Sequence, residues 1–187
     1  MRADAVRNRA RLPEAAARLV AEDEDRVEHI TMDAVAQAAS VGKGTVFRHF
    51  GDRSRLLMAL LDHVEQVYQA SFLTGPPSLG PGAPALERLE AFGVATIRYL
   101  LANRQLVLAA APPAERRLSA PPIGARRAHI VSLLREADAE GDVELLAESL
   151  LAYLDITLLN HLVHLRGIPQ ERVEAGWQNL LKAVRSS

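Results

Sequence analysis

The chain has 187 residues, of which 49% are hydrophobic and only 4% aromatic, and its formal net charge at pH 7 is −1. It contains no cysteine, which excludes a disulfide framework, a thiolate metal site and a thiol redox centre. Because the chain is not basic throughout, a nucleic-acid surface would have to be a local patch. We find no signal peptide and no apolar run near the roughly 20 residues that span a membrane. We therefore expect a cytoplasmic protein with no membrane partner.

The N-terminal segment predicts a short helix preceded by a basic arm. Pro13 is tolerated in the first turn of a helix but is costly in its interior, so we place the first well-formed helix from Pro13 to about Val20. The arm before it carries Arg2, Arg7, Arg9 and Arg11. Such an arm either reaches phosphates or the minor groove of DNA, or is a solvated tail.

Residues 31–50, TMDAVAQAASVGKGTVFRHF, have the pattern of two short helices joined by a tight turn. Thr31 is suited to cap the first helix, and the second runs from Lys43 to His49. The positions that fall on the inward side of these helices are apolar: Val35, Ala36, Ala39, Val46 and Phe50. This pattern predicts a helix-turn-helix.

The outer face of the second helix has the chemistry of a DNA-reading surface. A lysine and the free N–H groups of a helix N-terminus attract phosphates, a glycine lets DNA approach closely, and a threonine offers a hydroxyl and a methyl group to a base edge. The residues left outside are Lys43, Gly44, Thr45, Phe47, Arg48 and His49. The alternative interpretation is an ordinary helical hairpin with a solvated basic face.

The same stretch resembles the tetracycline-repressor (TetR) family of bacterial transcription regulators. The family's ordered string is matched at Thr31, Val35-Ala36, Ala39-Ser40-Val41-Gly42, Gly44-Thr45-Val46-Phe47 and His49-Phe50. The resemblance implies a regulator that binds a double-stranded DNA operator and is not an enzyme, with no cofactor. It also implies that Thr31 and Arg53 hold phosphates.

Three residues depart from the family's usual string. Ser40 replaces a turn glycine, so we expect an altered backbone there. Gly42 replaces a serine that caps the reading helix, which should cost only a few tenths of a kcal/mol. Phe47 replaces a tyrosine, so a phosphate contact through a phenolic hydroxyl is lost.

The rest of the chain predicts further helices separated by loops rich in proline and glycine. Asp52 is suited to cap the first of them. The helices are expected at 53–73, 85–102, 104–111, 123–139, 143–166 and 169–185. In the helix that starts at Ile123, we expect Ala128, Val131, Leu134 and Arg135 among the central residues.

The helix predicted from Val143 to Arg166 is apolar on more than one side and must therefore be covered on several sides. A two-fold partner would supply that cover through a four-helix interface built from the last two helices of each subunit, with Trp177 as an anchor. The alternative is a fully intramolecular core.

These observations predict an all-α fold with two domains. An N-terminal three-helix helix-turn-helix domain, residues 1–55, precedes a C-terminal helical domain for ligand binding and dimerisation, residues 56–187. By the resemblance, a small-molecule ligand would lie between the C-terminal helices and change the separation of the two reading helices of a homodimer. The lining residues so implied are Phe92, Thr96, Tyr99, Tyr153, Thr157 and His161.

Two other classes of function remain open from the sequence. His161 and His164 are three residues apart, a spacing compatible with a metal, and would serve a small helical metal-dependent enzyme. No third ligand is placed beside them, so we predict no metal site. A dimeric helical adaptor without DNA affinity would share every other feature of the chain.

Overall fold

The computed structural model describes residues 12, 15, 30–110, 116 and 118–185. These residues form helices and turns and contain no strand, so the predicted all-α fold is confirmed. The predicted helix from Pro13 to Val20 and the arginine arm lie outside the described residues, apart from Ala15. Both Leu12 and Ala15 are helical and fully buried.

The helices follow one another along the described chain with short connections. They are α1 (Met32–Ala38), α2 (Lys43–Phe50), α3 (Arg53–Leu73), α4 (Ala85–Ala102), α5 (Arg104–Ala110), α6 (Pro121–Glu136), α7 (Val143–Tyr153), α8 (Ile156–Asn160), a π-helical turn (His161–Leu165) and α9 (Gln170–Arg185). The bounds of α3 and α4 are those predicted from the sequence.

The first compact unit comprises Met1–Val67 and Asn103–Ala111. Its hydrophobic core is built by α1, α2 and the first part of α3, and α5 adds Leu106. The buried side chains at its centre include Val35, Val46, Phe50, Leu56 and Leu60. The predicted domain boundary after residue 55 stays a prediction.

The second compact unit comprises Tyr68–Ala102 and Pro112–Ser187. Helix α4 packs against α6, α8 and α9, and α6 packs against α7. The fully buried side chains of this unit include Phe72, Leu89, Phe92, Ile97, Ile130, Leu134 and Trp177. Trp177 was expected to anchor a dimer, and that expectation is wrong, because its indole ring is buried within its own subunit.

Helix α6 begins at a different residue from the one predicted, and some of its buried positions also differ from the prediction. It starts at Pro121, since proline fits the first turn of a helix, two residues earlier than expected. Ala128 and Arg135, predicted to be central, are exposed. Leu134 is buried as predicted, and the other buried positions are Arg126, His129, Ile130 and Leu133.

The apolar run Val143–Leu165 is not one uninterrupted α-helix. It breaks at Leu154, and the side chain of Asp155 then caps α8 by accepting a hydrogen bond from the backbone N–H of Thr157 at 2.7 Å. This helical run has 23 residues and a mean hydropathy of 1.2, enough to cross a membrane by length and composition, so the expectation of no such run is wrong. Core helices meet the same criterion, and Leu150, Leu151 and Leu159 of this run are buried.

Candidate DNA-binding surface

Helix α1 is fixed at both ends by local interactions. The hydroxyl of Thr31 accepts a hydrogen bond from the N–H of Ala34 at 3.1 Å, as expected of an N-cap. At the other end Ser40 has a φ of 54°, in the left-handed region where glycine is favoured. The altered backbone predicted at Ser40 is thus present, and it turns the chain so that Val41 packs against the core.

Helix α2 presents the expected outer face. Val46 and Phe50 are buried in the first unit, and Gly42 caps the helix without a side-chain hydrogen bond. Lys43, Gly44, Phe47, Arg48 and His49 are exposed, and Thr45 is half-buried. The structure therefore brings the six predicted reading residues together on one helix, with their side chains outside the core.

The amino group of Lys43 is held from two sides. It donates to the carboxylate of Asp33 at 2.7 Å, and it lies 5.8 Å from the centre of the Phe47 ring, within cation–π range. The sequence analysis did not assign Asp33. Its side chain comes close because the first turn of α1 and the first turn of α2 lie at the same edge of the surface.

Arg53 connects the start of α3 to the start of α1. Its Nε–H donates to the backbone carbonyl of Ile30 at 3.1 Å, while the side chain stays exposed. The carboxylate of Asp52 accepts from the N–H of Arg55 at 2.9 Å, which confirms the predicted cap. The side chain of Arg53 therefore lies next to the residue that precedes Thr31, at the start of α1.

The predicted ligand-lining residues do not all lie together. Phe92 and Thr96 are buried and Tyr99 is half-buried on α4, around Tyr68. The rings of Tyr68 and Tyr99 stack with centres 4.3 Å apart, and Thr96 donates to the carbonyl of Phe92 at 2.7 Å. Since that bond uses the only hydroxyl proton of Thr96, the Tyr68 hydroxyl is the donor in the bond between Tyr68 and Thr96.

Tyr153, Thr157 and His161 lie elsewhere in the second unit. The hydroxyl of Tyr153 donates to the carbonyl of Val173 at 2.7 Å, and burial raises the pKa of this phenol. Thr157 and His161 are exposed. A ligand contact at each of the six residues stays a prediction, and the structure groups only the three on α4.

Four aromatic side chains, those of Tyr68, Phe72, Phe92 and Tyr99, form a cluster in the second unit. Two polar side chains of α6 pack against this cluster, and the sequence analysis did not predict that either would lie there. The guanidinium carbon of Arg126 lies 5.5 Å from the centre of the Tyr68 ring and 5.6 Å from that of Tyr99. His129 packs against Phe72 and Phe92 with ring centres 4.6 and 4.9 Å apart. Their spacing of three places both on one face of α6 and was the signal available in the sequence.

His129 is poorly solvated in this position. Its Nε2 is buried and has no hydrogen-bond partner in the structure. Burial, followed by the positive charge of Arg88, lowers the pKa of His129 to about 4. The imidazole is therefore neutral at physiological pH.

An open groove of about 610 Å³ runs along another face of α4, and none of the six predicted ligand residues lines it. Small residues form its floor, with Glu87, Glu90 and Arg98 around them. Arg98 is bound to Glu174 through two hydrogen bonds of 2.9 and 2.7 Å. These bonds hold the pKa of Glu174 below its usual range.

The histidine pair considered for a metal, His161 and His164, lies exposed on the π-helical turn. Within the described part of the chain, no group of three histidine, aspartate or glutamate side chains is arranged to hold a metal ion.

The fold and this surface define an all-helical protein with a helix-turn-helix in its first compact unit. Residues 14–60 match the sequence profile described as bacterial regulatory proteins, tetR family. The HTH-type transcriptional regulator SAB2452 of Staphylococcus aureus (strain bovine RF122 / ET3-1) is 46% identical over 56 residues, which are 30% of this chain and 29% of that protein. The matched segment thus spans less than a third of the length of this relative.

Solved structures extend the likeness of fold to nearly the whole chain. A TetR-family transcriptional regulator from Rhodococcus sp. has a TM-score of 0.68 and 20% identity, covering 95% of this chain and 98% of its own. One from Mesorhizobium loti MAFF303099 has a TM-score of 0.67 and 18% identity, covering 97% and 96%. The N-terminal segment is thus similar to the TetR family of bacterial regulatory proteins, which confirms the resemblance seen in the sequence.

Proposed function

We propose that this protein is a DNA-binding transcriptional regulator of the TetR type, a repressor that a small-molecule ligand releases from its operator. The observation that carries the proposal is the outer face of α2. Thr45 and Arg48 lie three residues apart on the side opposite the buried face of this helix, and Lys43 is exposed in its first turn. A helix of this kind enters the major groove, and its N-terminal residues contact base edges.

Each predicted contact has a chemical role in this proposal. Lys43 and Arg48 meet phosphates or base edges, and Gly44 and Thr45 allow close approach and base readout. Phe47 and His49 contact sugar and backbone. Thr31 and Arg53 hold phosphates beside the reading helix, as the family resemblance implies.

The proposal includes a homodimer, because two half-sites need two reading helices about 34–36 Å apart or a multiple of that distance. Exposed leucines along α8, the π-helical turn and α9 supply the apolar surface. Leu158 is 36% exposed, Leu165 73% and Leu180 41%. We call Leu158, Leu165 and Leu180 the leucine strip. A second copy of the chain that covers the leucine strip would remove these three side chains from water.

The ligand site proposed here is the aromatic cluster of the second unit, around Phe92, Thr96 and Tyr99. A ligand that favours one state of the dimer by a few kcal/mol would empty the operator. Tyr153, Thr157 and His161 remain candidates for contact by resemblance alone. We propose a cytoplasmic protein without catalytic activity or cofactor, as the family consists of regulatory proteins.

The proposal is tested by selecting DNA fragments that the purified protein retains and measuring affinity for the selected duplex. Thr45→Ala should lose roughly 1–3 kcal/mol on the best site and relax the preference at one base position. The control is Gln66→Ala, which alters an exposed side chain thirteen residues beyond Arg53 on α3 and should bind as the parent does. Equal affinity of Thr45→Ala and the parent for every selected duplex would show that α2 is not the reading helix.

A further inference from the structure

An acidic side chain lies within the proposed operator surface. Asp33 is in the first turn of α1 and its carboxylate is 2.7 Å from the amino group of Lys43, the first residue of α2. The two side chains are 64% and 58% exposed. A carboxylate in the first turn of a helix is favourable for folding in its own right. Exposed ion pairs contribute little to stability, so stability does not account for the contact of this carboxylate with Lys43.

The carboxylate changes what Lys43 offers to DNA. The ammonium group contacts both Asp33 and the Phe47 ring, so its orientation is restrained and part of its charge is paired with the carboxylate. A lysine whose charge is paired with a carboxylate attracts phosphates less than a lysine without such a partner. Binding to DNA of any sequence is driven by protein cations that neutralise phosphates and release counterions. Because Asp33 pairs with one of these cations, it reduces the affinity that does not depend on sequence.

We propose that Asp33 is a positioning residue that sets operator specificity through Lys43. It lowers the affinity for DNA in general, and it holds Lys43 in the orientation that the operator requires. The inference rests on the proposed function, because it concerns the same surface.

The two effects of Asp33 act differently on different DNA. On a scrambled duplex only the general attraction counts, so removing the carboxylate strengthens binding. On the selected duplex the same gain is offset, because Lys43 is then no longer oriented. Loss of Asp33 should therefore lower the ratio of specific to non-specific affinity.

The experiment compares the parent with Asp33→Asn on the selected duplex and on a scrambled duplex of equal length, at several salt concentrations. For the scrambled duplex we expect affinity to rise roughly threefold to tenfold, and the slope of log K against log salt to steepen by about 0.9. Affinity for the selected duplex should change by less. Asp62→Asn makes the same charge change at an exposed site nine residues along α3 and should alter neither value.

A double-mutant cycle separates positioning from simple charge. Lys43→Ala leaves the carboxylate unbalanced beside DNA, so Lys43→Ala should bind the selected duplex more weakly than Asp33→Asn/Lys43→Ala does. Thermal unfolding of all variants should stay within a few degrees of the parent, because both side chains are exposed.

The outcomes distinguish the two proposals. A parent that retains no DNA overturns the proposed function, and this inference with it. A parent that binds its selected duplex, together with an Asp33→Asn variant of unchanged specificity ratio and salt slope, overturns the role of Asp33 alone. Additive effects in the cycle would also overturn it, because the carboxylate would then act independently of Lys43.

Discussion

The indole ring of Trp177 lies directly against the backbone of Gly93. A Cβ atom at Gly93 would overlap the ring, so only glycine lets α9 pack this closely on α4. The Nε1–H of Trp177 donates to the backbone carbonyl of Glu90 at 3.1 Å, which satisfies its polar group in the same contact. This pair fixes α9 on α4 within the second unit.

Gly93→Ala should therefore destabilise the protein by about 3 kcal/mol, since overpacking forces the indole or the helix to shift. For a chain of this size that is a fall of roughly 6–12 °C in the unfolding temperature. The matched control is Gly124→Ala on α6, where a Cβ would meet nothing within 4 Å. That control should be neutral or more stable by about 1 kcal/mol, because alanine is the better helix former. Equal unfolding temperatures for the two variants would contradict the close packing of Gly93 and Trp177.

Acidification should destabilise the second unit through His129. Its pKa is lowered to about 4 in the folded protein, below the ordinary value of about 6.5, so the unfolded chain binds the extra proton first. The free energy of unfolding is thus unaffected above pH 6.5 and falls as the pH drops from 6.5 towards 4, by at most about 3 kcal/mol. Chemical denaturation across this range should show a smaller fall for His129→Gln. An identical pH dependence in the parent and this variant would show that His129 is not the group concerned.

The leucine strip of α8, the π-helical turn and α9 should be the dimer interface. Leu158→Glu and Leu165→Glu place a charge on surface that the partner would cover, so each should yield a folded monomer. Leu118→Glu alters a leucine that is 63% exposed and lies outside the strip, and it should remain dimeric. Sedimentation at low micromolar concentration measures the state of each. A parent that sediments as a monomer under these conditions would refute the interface.

Gly44 should matter for DNA and not for folding. A Cβ at Gly44 would meet nothing within 4 Å, so Gly44→Ala should fold at least as well as the parent. The added methyl group points to the side that approaches DNA, and we expect operator affinity to fall by about tenfold or more. Unfolding temperature and operator affinity should thus move in different directions. An unchanged affinity would show that DNA does not approach this part of α2.

Much of the fold could be predicted because its signals are local. Thr31 and Asp52 are capping residues followed by helical periodicity, and the observed helices begin at the next residue in both cases. The irregular stretch rich in proline and glycine, 74–84, separates two helices whose bounds were predicted correctly. An altered backbone was expected at Ser40 because serine replaces glycine at a turn position, and glycine adopts a positive φ more readily than serine does.

What could not be predicted depends on contacts between distant parts of the chain. Burial of Trp177 requires Gly93, which lies on another helix, so apolarity alone did not distinguish a core residue from an interface residue. Arg126 and His129 are buried because aromatic rings of other helices surround them. The break at Leu154 and Asp155 falls within an apolar run that the sequence predicts as one helix. A single aspartate in such a run does not by itself distinguish a helix cap from a polar residue inside a helix.

The central claim is that α2 reads DNA, and selection from a random DNA library by the purified protein tests it most directly. We predict that the retained fragments share a sequence made of two inverted half-sites, with centres 10–10.5 base pairs apart or a multiple of that spacing. Lys43→Ala should bind this sequence more weakly than the parent. Retained fragments with no shared sequence, or none retained above the level of the unselected library, would contradict the claim.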